Sequence, residues 1–145
     1  MAGANSDLPD WECWALLGSL PVGRIVIVDH EHPIAIPLNF RVIESEARRQ
    51  IVVRTAATTV VGRYEGLASF EVDHIDATSR QAWSVLVRGR LRCLTDHTGL
   101  PDPDPWFIEH RGHWMALDAT SVSGRRFTGR TSDDGYSVEW EIAPG

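Results

Sequence analysis

The sequence predicts an all-β barrel with one helix at its N-terminus. Three observations predict it. Six or seven short stretches read as strands, most of them alternating apolar and polar residues at a period of two. Gly, Pro and Asp turn signals separate them, and only one stretch carries a helical apolar stripe. Strand follows strand without the regular helix alternation of a parallel sheet, so the pattern is an antiparallel meander. With 145 residues and no internal repeat, residues 1–145 form one domain, large enough to bury a single core.

Taken in order, Asp10 is placed to cap a helix reaching about Ser19. Trp11, Trp14, Ala15 and Leu17 to Leu20 form its stripe, and Pro21 and Gly23 end it. Arg24 to Asp29 carries Ile25-Val26-Ile27-Val28, which suits a strand covered on both faces. After a turn at His30 to Pro33, Ile34, Ile36, Leu38, Phe40 and Val42 alternate with Ala35, Pro37, Asn39 and Arg41 in a second strand. Pro37 has no N–H for a ladder and implies an edge, a bulge or a gap there. Glu44 to Gln50 is a charged hairpin leading to the Ile51 strand. Past the polar loop His74 to Gln81, Trp83, Val85, Val87, Leu91 and Cys93 share one face of a strand. Ser84, Leu86, Arg88, Arg90 and Arg92 share the other, with a bend at Gly89. Leu100 to Pro105 is a proline-rich loop. His113 to Asp118 and Ser121 to Phe127 read as two short strands. Asp133-Asp134-Gly135 is a turn before a last strand carrying Val138, Trp140 and Ile142.

Composition narrows the chemistry. A net charge of −6 with no basic tract argues against nucleic acid as a partner. All fourteen basic residues are arginine, so an anion site must use guanidinium, hydroxyl and backbone N–H groups, and a lysine Schiff base is excluded. No apolar run approaches the ~20 residues needed to cross a bilayer, and the polar first residues lack a signal-peptide pattern. Cys13 and Cys93 make no metal or redox spacing. A cytoplasmic, reduced protein with no membrane partner is the expectation.

One stretch organises the rest: Ile51 to Asp73, IVVRTAATTVVGRYEGLASFEVD. A strand from Ile51 ends in Arg54, Thr55, Thr58 and Thr59. A short segment from Val60 to Gly66, read as a helical turn, then leads to a strand from Leu67 to Asp73. Hydroxyls and free amides at such a corner suit a phosphate, with Arg54 as counter-charge; the alternative is a β-α-β corner with a threonine cap. His30 and His32, and His110 and His113, lack a third ligand at a metal spacing and read as turn and loop residues, so no metal is expected. Cys13 reads as a small core residue, and the acid pairs Asp102/Asp104 and Asp133/Asp134 as solvated loop residues. The arginines at 88, 90 and 92, with Arg125 and Arg126, form either a solvated face or a positive lip around an anion. No nucleophile or acid–base set stands out, so chemistry would fall to a cofactor.

Six segments in this order resemble the FMN-binding split-barrel family typified by pyridoxamine 5′-phosphate oxidase: CWALLGSLPVGRIVIV, PIAIPLNF, VVRTAATT, FEVD, WSVLVRGRLRCL and HWMALDATSVSGRRF. The match covers residues 10–127, with 128–145 as an extension. The resemblance implies a mainly β, six-stranded split β-barrel (Greek key) with an N-terminal helix and short connecting helices, working as a homodimer with FMN at the interface. By position it puts Pro37, Leu38, Asn39 and Phe40 along the isoalloxazine edge. Arg54, Thr55, Thr58, Thr59 and Val60 fall at the phosphate. By family analogy Trp83 and Ser84 reach the ring region from the other subunit, and Arg125 or Arg126 closes the site near the C-terminus.

Two departures mark this chain. Where relatives read T-A-x-G-[ST]-K, Thr58 stands at the glycine and Val60 at the lysine, which removes a phosphate contact. The C-terminal Arg/His cluster of true oxidases is not recognisable in GRRFTGR, so vitamin B6 oxidation is not expected. The expected function is an FMN-dependent oxidoreductase acting on a small molecule. The alternatives are an F420-dependent reductase and a non-catalytic barrel that binds a flavin or another small anion.

Overall fold

The computed structural model describes residues 4–107 and 112–129. In chain order the elements are β1 (Ala4–Asp7), α1 (Asp10–Leu17), β2 (Val22–Asp29), β3 (His32–Asn39), β4 (Arg41–Ser45), β5 (Arg48–Thr55), β6 (Gly66–Asp76), β7 (Gln81–Cys93) and β8 (His113–Thr128). The strands form one antiparallel, eight-stranded sheet in the order β3-β2-β6-β7-β8-β5-β4, with β1 paired to β8. Mainly β architecture with an N-terminal helix is therefore as expected. The strand count is eight rather than six, and the sheet is split, its hydrogen-bonded path left open instead of closing on itself.

Pairing explains each departure from the expected elements. The single strand expected over Ile34 to Val42 breaks at Phe40. Up to Asn39 the chain pairs with β2, and from Arg41 it pairs with β5. Phe40 marks the change of partner, buried 4.8 Å from the ring of Phe70. Pro37 sits on β3, at the end of the strand order, where its missing N–H is tolerated. The two short strands expected after His113 are one strand of 16 residues. The β7–β8 register shifts between Arg88 and Gly89, where Thr120 is the extra residue, so the bend expected at Gly89 is a β-bulge. β1 has no apolar pattern to announce it; backbone pairing to the second half of β8 and the Asp7–Arg125 ion pair hold it.

The helix is shorter than expected and differently capped. Pro9 is its N-cap, with extended φ −67° and ψ 156°, and Asp10 is the first helical residue rather than the cap. The Pro9 carbonyl accepts from the amides of Glu12 and Cys13. Among the described residues no connecting helix occurs: residues 56–65 make successive turns, so there is no helix start behind the Ile51 strand. The turn at Asp133 and the strand at Val138 lie outside the described residues.

Alternation along the strands sorts side chains onto two faces. Ile25, Phe70, Val72, Val87, Val53 and Met115 fill the inner face, and α1 covers it with Cys13, Trp14 and Leu17. Burying such a side chain contributes roughly 1.5–3 kcal/mol. Cys13 is thus a core residue, its thiol pKa raised by burial and then by Asp10 and Glu12. The outer face carries a second small cluster, Val52, Trp114 and Ala116, covered by Ile43, Leu94 and Leu100. Beside it Asp118 accepts from Gln50 Nε2 (2.6 Å) and Arg92 Nε (2.6 Å). Burial pushes the Asp118 carboxyl up, but Arg92 and Gln50 more than offset it and leave it below the usual range.

The bulge gives a direct test. A Cβ on Gly89 would be driven into the Asp118 carbonyl, whereas one on Gly112 meets nothing within 4 Å among the described residues. Gly89→Ala should lower stability by about 3 kcal/mol, and Gly112→Ala by less than about 0.5 kcal/mol, read from urea unfolding midpoints.

Candidate functional site

The apolar run of β5 ends in two residues that point to opposite faces. Thr55 follows Ile51 and Val53 inward and is fully buried. Arg54 follows Val52 outward, its guanidinium 5.7 Å from the ring centre of Trp114. The hydroxyls beyond it form a closed circuit. Thr59 donates to the Ala56 carbonyl (2.8 Å) and accepts from the Gly62 amide (3.0 Å). With its own proton so placed, Thr59 Oγ1 also accepts from Thr55 Oγ1 at 2.8 Å. Both hydroxyl protons therefore serve the turn. The amides of Ala57, Thr58 and Val60 have no partner among the described residues, and Thr58 is exposed. What the turn offers an anion is backbone N–H and the Thr58 hydroxyl.

Outside β5, Arg54 Nη1 lies 2.9 Å from each carboxylate oxygen of Asp102. Asp102, expected as a solvated loop residue, is half-exposed but ion-paired. The Asp104 amide, then Arg54, hold its carboxyl below the usual range. The same loop donates the Trp106 amide to Asn39 Oδ1 (2.9 Å), while Asn39 Nδ2 donates to the Pro21 carbonyl (3.2 Å). Asn39 and Arg54 thus lie at one edge, tied by residues 102–106. Pro37 is exposed on β3, and Leu38 and Phe40 pack with the core. Val60 also packs against the core.

Trp83, Ser84, Arg125 and Arg126 gather elsewhere. Trp83 pairs with Arg126, and Ser84 with Arg125. Arg126 Nη2 reaches Glu12 Oε1 at 2.7 Å, and Arg125 Nε reaches Asp7 Oδ1 at 3.5 Å. Trp83 borders a cavity of about 380 Å³ with His74, Asp76 and Arg126. Arg54 pairs with Trp114 at the other end of β8, and from Trp114 to Arg125 that strand runs at most roughly 36 Å. The two groups thus sit toward opposite ends of β8.

Three residues take places in the structure that their local sequence does not by itself signal. Asp102 lay in a loop with no period, its signal being the D-P-D-P pattern that favours a turn closed by an Asp side chain. Trp114, met by both the Arg54 guanidinium and the stacked ring of His97 (4.3 Å), carries no sequence signal that sets it apart from any other strand aromatic. His113, opposite Thr55, has a buried Nε2 with no partner among the described residues, which only coordinates reveal. His110 lies outside the described residues. Of the arginine ladder, Arg88 and Arg90 are exposed, whereas Arg92 is paired to Asp118.

Comparison with known proteins follows the fold. A FAD-binding protein from Mycobacterium smegmatis is 31% identical, over 85% of this chain and 98% of its own, with a TM-score of 0.66. A conserved protein of unknown function from Corynebacterium diphtheriae is 26% identical, over 86% and 98%, with a TM-score of 0.70. A FAD-binding protein from Mesorhizobium loti, 21% identical over 88% and 99% with a TM-score of 0.66, shares the fold. The class is the split barrel. A family model described as pyridoxamine 5′-phosphate oxidase matches residues 9–126, and the chain belongs to that family. A search of curated protein sequences finds no match. No helix among the described residues is long and apolar enough to cross a membrane.

The outer face near Ser84 holds a pair of carboxylates on one arginine. Arg24 Nη1 bridges Glu71 Oε2 (3.3 Å) and Asp73 Oδ2 (3.0 Å). Burial, then the hydrogen bond and charge of Asp73, push Glu71 from 4.5 up to about 7 against the pull of Arg24. Between those values the folded chain keeps a proton that the unfolded chain has released, so stability falls as pH rises through the window. Glu71→Gln should melt above wild type at pH 8, and the gap should close near pH 5; thermal melts at the two pH values check it.

Proposed function

We propose that this protein is a homodimeric flavin-nucleotide-binding oxidoreductase of the pyridoxamine 5′-phosphate oxidase family, acting on a small molecule. The observation that carries the reading is the turn after β5, where the Ala57, Thr58 and Val60 amides, unpartnered among the described residues, and the exposed Thr58 hydroxyl follow Arg54 in the chain. A phosphate fits such donors, because backbone N–H groups in successive turns make an anion-binding concavity. Asn39 would meet the ring edge. The flavin would supply the hydride chemistry, and the chain would orient it and exclude water from one side.

FMN is the first candidate. FAD is favoured as a second by the charge at the turn and by the two relatives named for binding it. With Val60 where a lysine would stand, the site concentrates little positive charge. An internal pyrophosphate spreads its charge over two phosphates and demands less than a terminal phosphate dianion. F420 remains the alternative cosubstrate, and a non-catalytic flavin carrier the alternative role.

Purified protein mixed with FMN, FAD or riboflavin and passed through gel filtration should retain flavin absorbance. Loss of all three would overturn the reading. Arg54→Ala should weaken FMN about tenfold or more, and Val60→Lys should tighten it by a similar factor, since a charge-assisted hydrogen bond is worth roughly 1.5–3 kcal/mol. Riboflavin should respond little to either; titration by fluorescence quenching measures both.

The separation along β8 motivates the dimer. A flavin held at Arg54 would meet Trp83 and Ser84 from a second chain. Light scattering should give twice 16.2 kDa, with an interface of about 1,600 Å² or more. A mass of 16.2 kDa at micromolar concentration would refute it.

A further inference from the structure

We infer that Asp102 is a specificity-determining residue of this site: its carboxylate competes with the ligand's phosphate for the Arg54 guanidinium. The inference rests on the proposed function, in which Arg54 meets that phosphate. Both Asp102 oxygens stand 2.9 Å from Arg54 Nη1, so the carboxylate presents to the guanidinium the pair of acceptors that a phosphate would present. The two partners differ in how they are seated. Arg54 is 24% exposed and rests against Trp114, whereas Asp102 is 57% exposed. Asp102 is therefore the partner that can leave for water while Arg54 stays in place.

The loop around it is held in a position to act as a stand-in for ligand. Asp102 Oδ1 accepts the Asp104 amide at 2.9 Å, Pro103 and Pro105 are buried, and Trp106 N donates to Asn39 Oδ1. Residues 102–106 thus satisfy one polar group at the phosphate end of the candidate site and one at the ring end. Arg41, paired with Val52 next to Arg54 in the sheet, also acts on Asp102 through its charge. With Asp102 in place, its carboxylate offsets part of the positive charge of the two arginines. A phosphate gains only the difference between its own bond to Arg54 and the one it displaces. A neutral ligand pays no such exchange, so the site's preference for phosphorylated over unphosphorylated flavin is compressed.

Asp102→Asn tests this, because the amide oxygen still accepts the Asp104 N–H while the charge is gone. Asp102→Ser is a second variant that keeps an acceptor for the same turn. Dissociation constants for FMN and riboflavin should be measured for wild type, both variants, Arg54→Ala, and Arg54→Ala combined with Asp102→Asn. FMN should bind the Asp102 variants about tenfold more tightly or better, and riboflavin within about twofold of wild type. The gain for FMN should vanish when Arg54 is alanine, since the two residues act on one interaction. An unchanged or reduced FMN-to-riboflavin ratio in both variants overturns the inference and makes Asp102 an orienting partner of Arg54. Equal gains for both ligands overturn it too, since the loop would then act on the whole site. If no variant binds either flavin, the proposed function and this inference fall together; if flavins bind without the change in ratio, the inference alone falls.

Discussion

The long pairing of β7 with β8 is the constraint on which the rest of the molecule depends. β8 pairs with β7 along nearly its whole length, with β5 over its first half and with β1 over its second. Its beginning therefore fixes where β5 ends, and so where the turn with Arg54 and Thr55 stands. Its far end fixes Ser84, Arg125 and the docking of the N-terminal strand. The bulge at Thr120 lets one strand serve both halves: it bends β8 against the glycine at 89, where no Cβ can stand. A side chain at that glycine would disturb Asp118, and with it the Gln50 and Arg92 contacts that link β5, β7 and β8.

Having only arginine as its strong cation shapes the electrostatics of this chain. A guanidinium is planar, always charged and weakly hydrated, so it can lie on an aromatic face and meet a carboxylate at once. Arg54 does both, with Trp114 and Asp102, and Arg49 lies 5.1 Å over Trp14. Arg24, Arg92, Arg125 and Arg126 each meet a carboxylate as well. With a net charge of −6 there is acid enough for such pairing. An anionic ligand entering this surface meets a lattice of existing ion pairs more often than a bare positive charge.

Much of the sheet was legible because its signals are local. The alternation from Trp83 to Cys93, the glycine within it and the proline on β3 each report a strand, a bulge and an edge without reference to partners. Partner choice is not local. Phe40 ends one strand because Phe70 offers it a buried seat and Val52 pairs with the next residue, which no window around Phe40 displays. β1 is stabilised by a backbone more than a hundred residues away in the chain, and its polar side chains carry no pattern. At the candidate site the residue types at the turn were readable from TAATT, but their use was not. Whether a threonine hydroxyl faces a ligand or closes its own turn depends on geometry of a few tenths of an ångström. Likewise Asp102 becomes an Arg54 partner only when the proline-rich loop folds back over the outer face.

Those hydroxyl assignments bear on how the turn would recognise anything. Thr59 spends its proton on Ala56 and receives Thr55 and Gly62, so three contacts lock the backbone from residue 55 to 62. A Cβ at Gly62 has no room against Ala56, which shows how tightly the turn is wound. A turn fixed this way holds the amides of Ala57, Thr58 and Val60 in position before a ligand arrives, and pre-organised donors bind without an ordering cost. Valine at position 60 brings no charge to the turn and leaves this arrangement intact. Charge would attract any anion, whereas fixed amides select by the spacing of acceptor oxygens. On the proposed reading, backbone shape would define the phosphate end of the site, with Arg54 and the Asp102 carboxylate adjusting how much a ligand's charge adds.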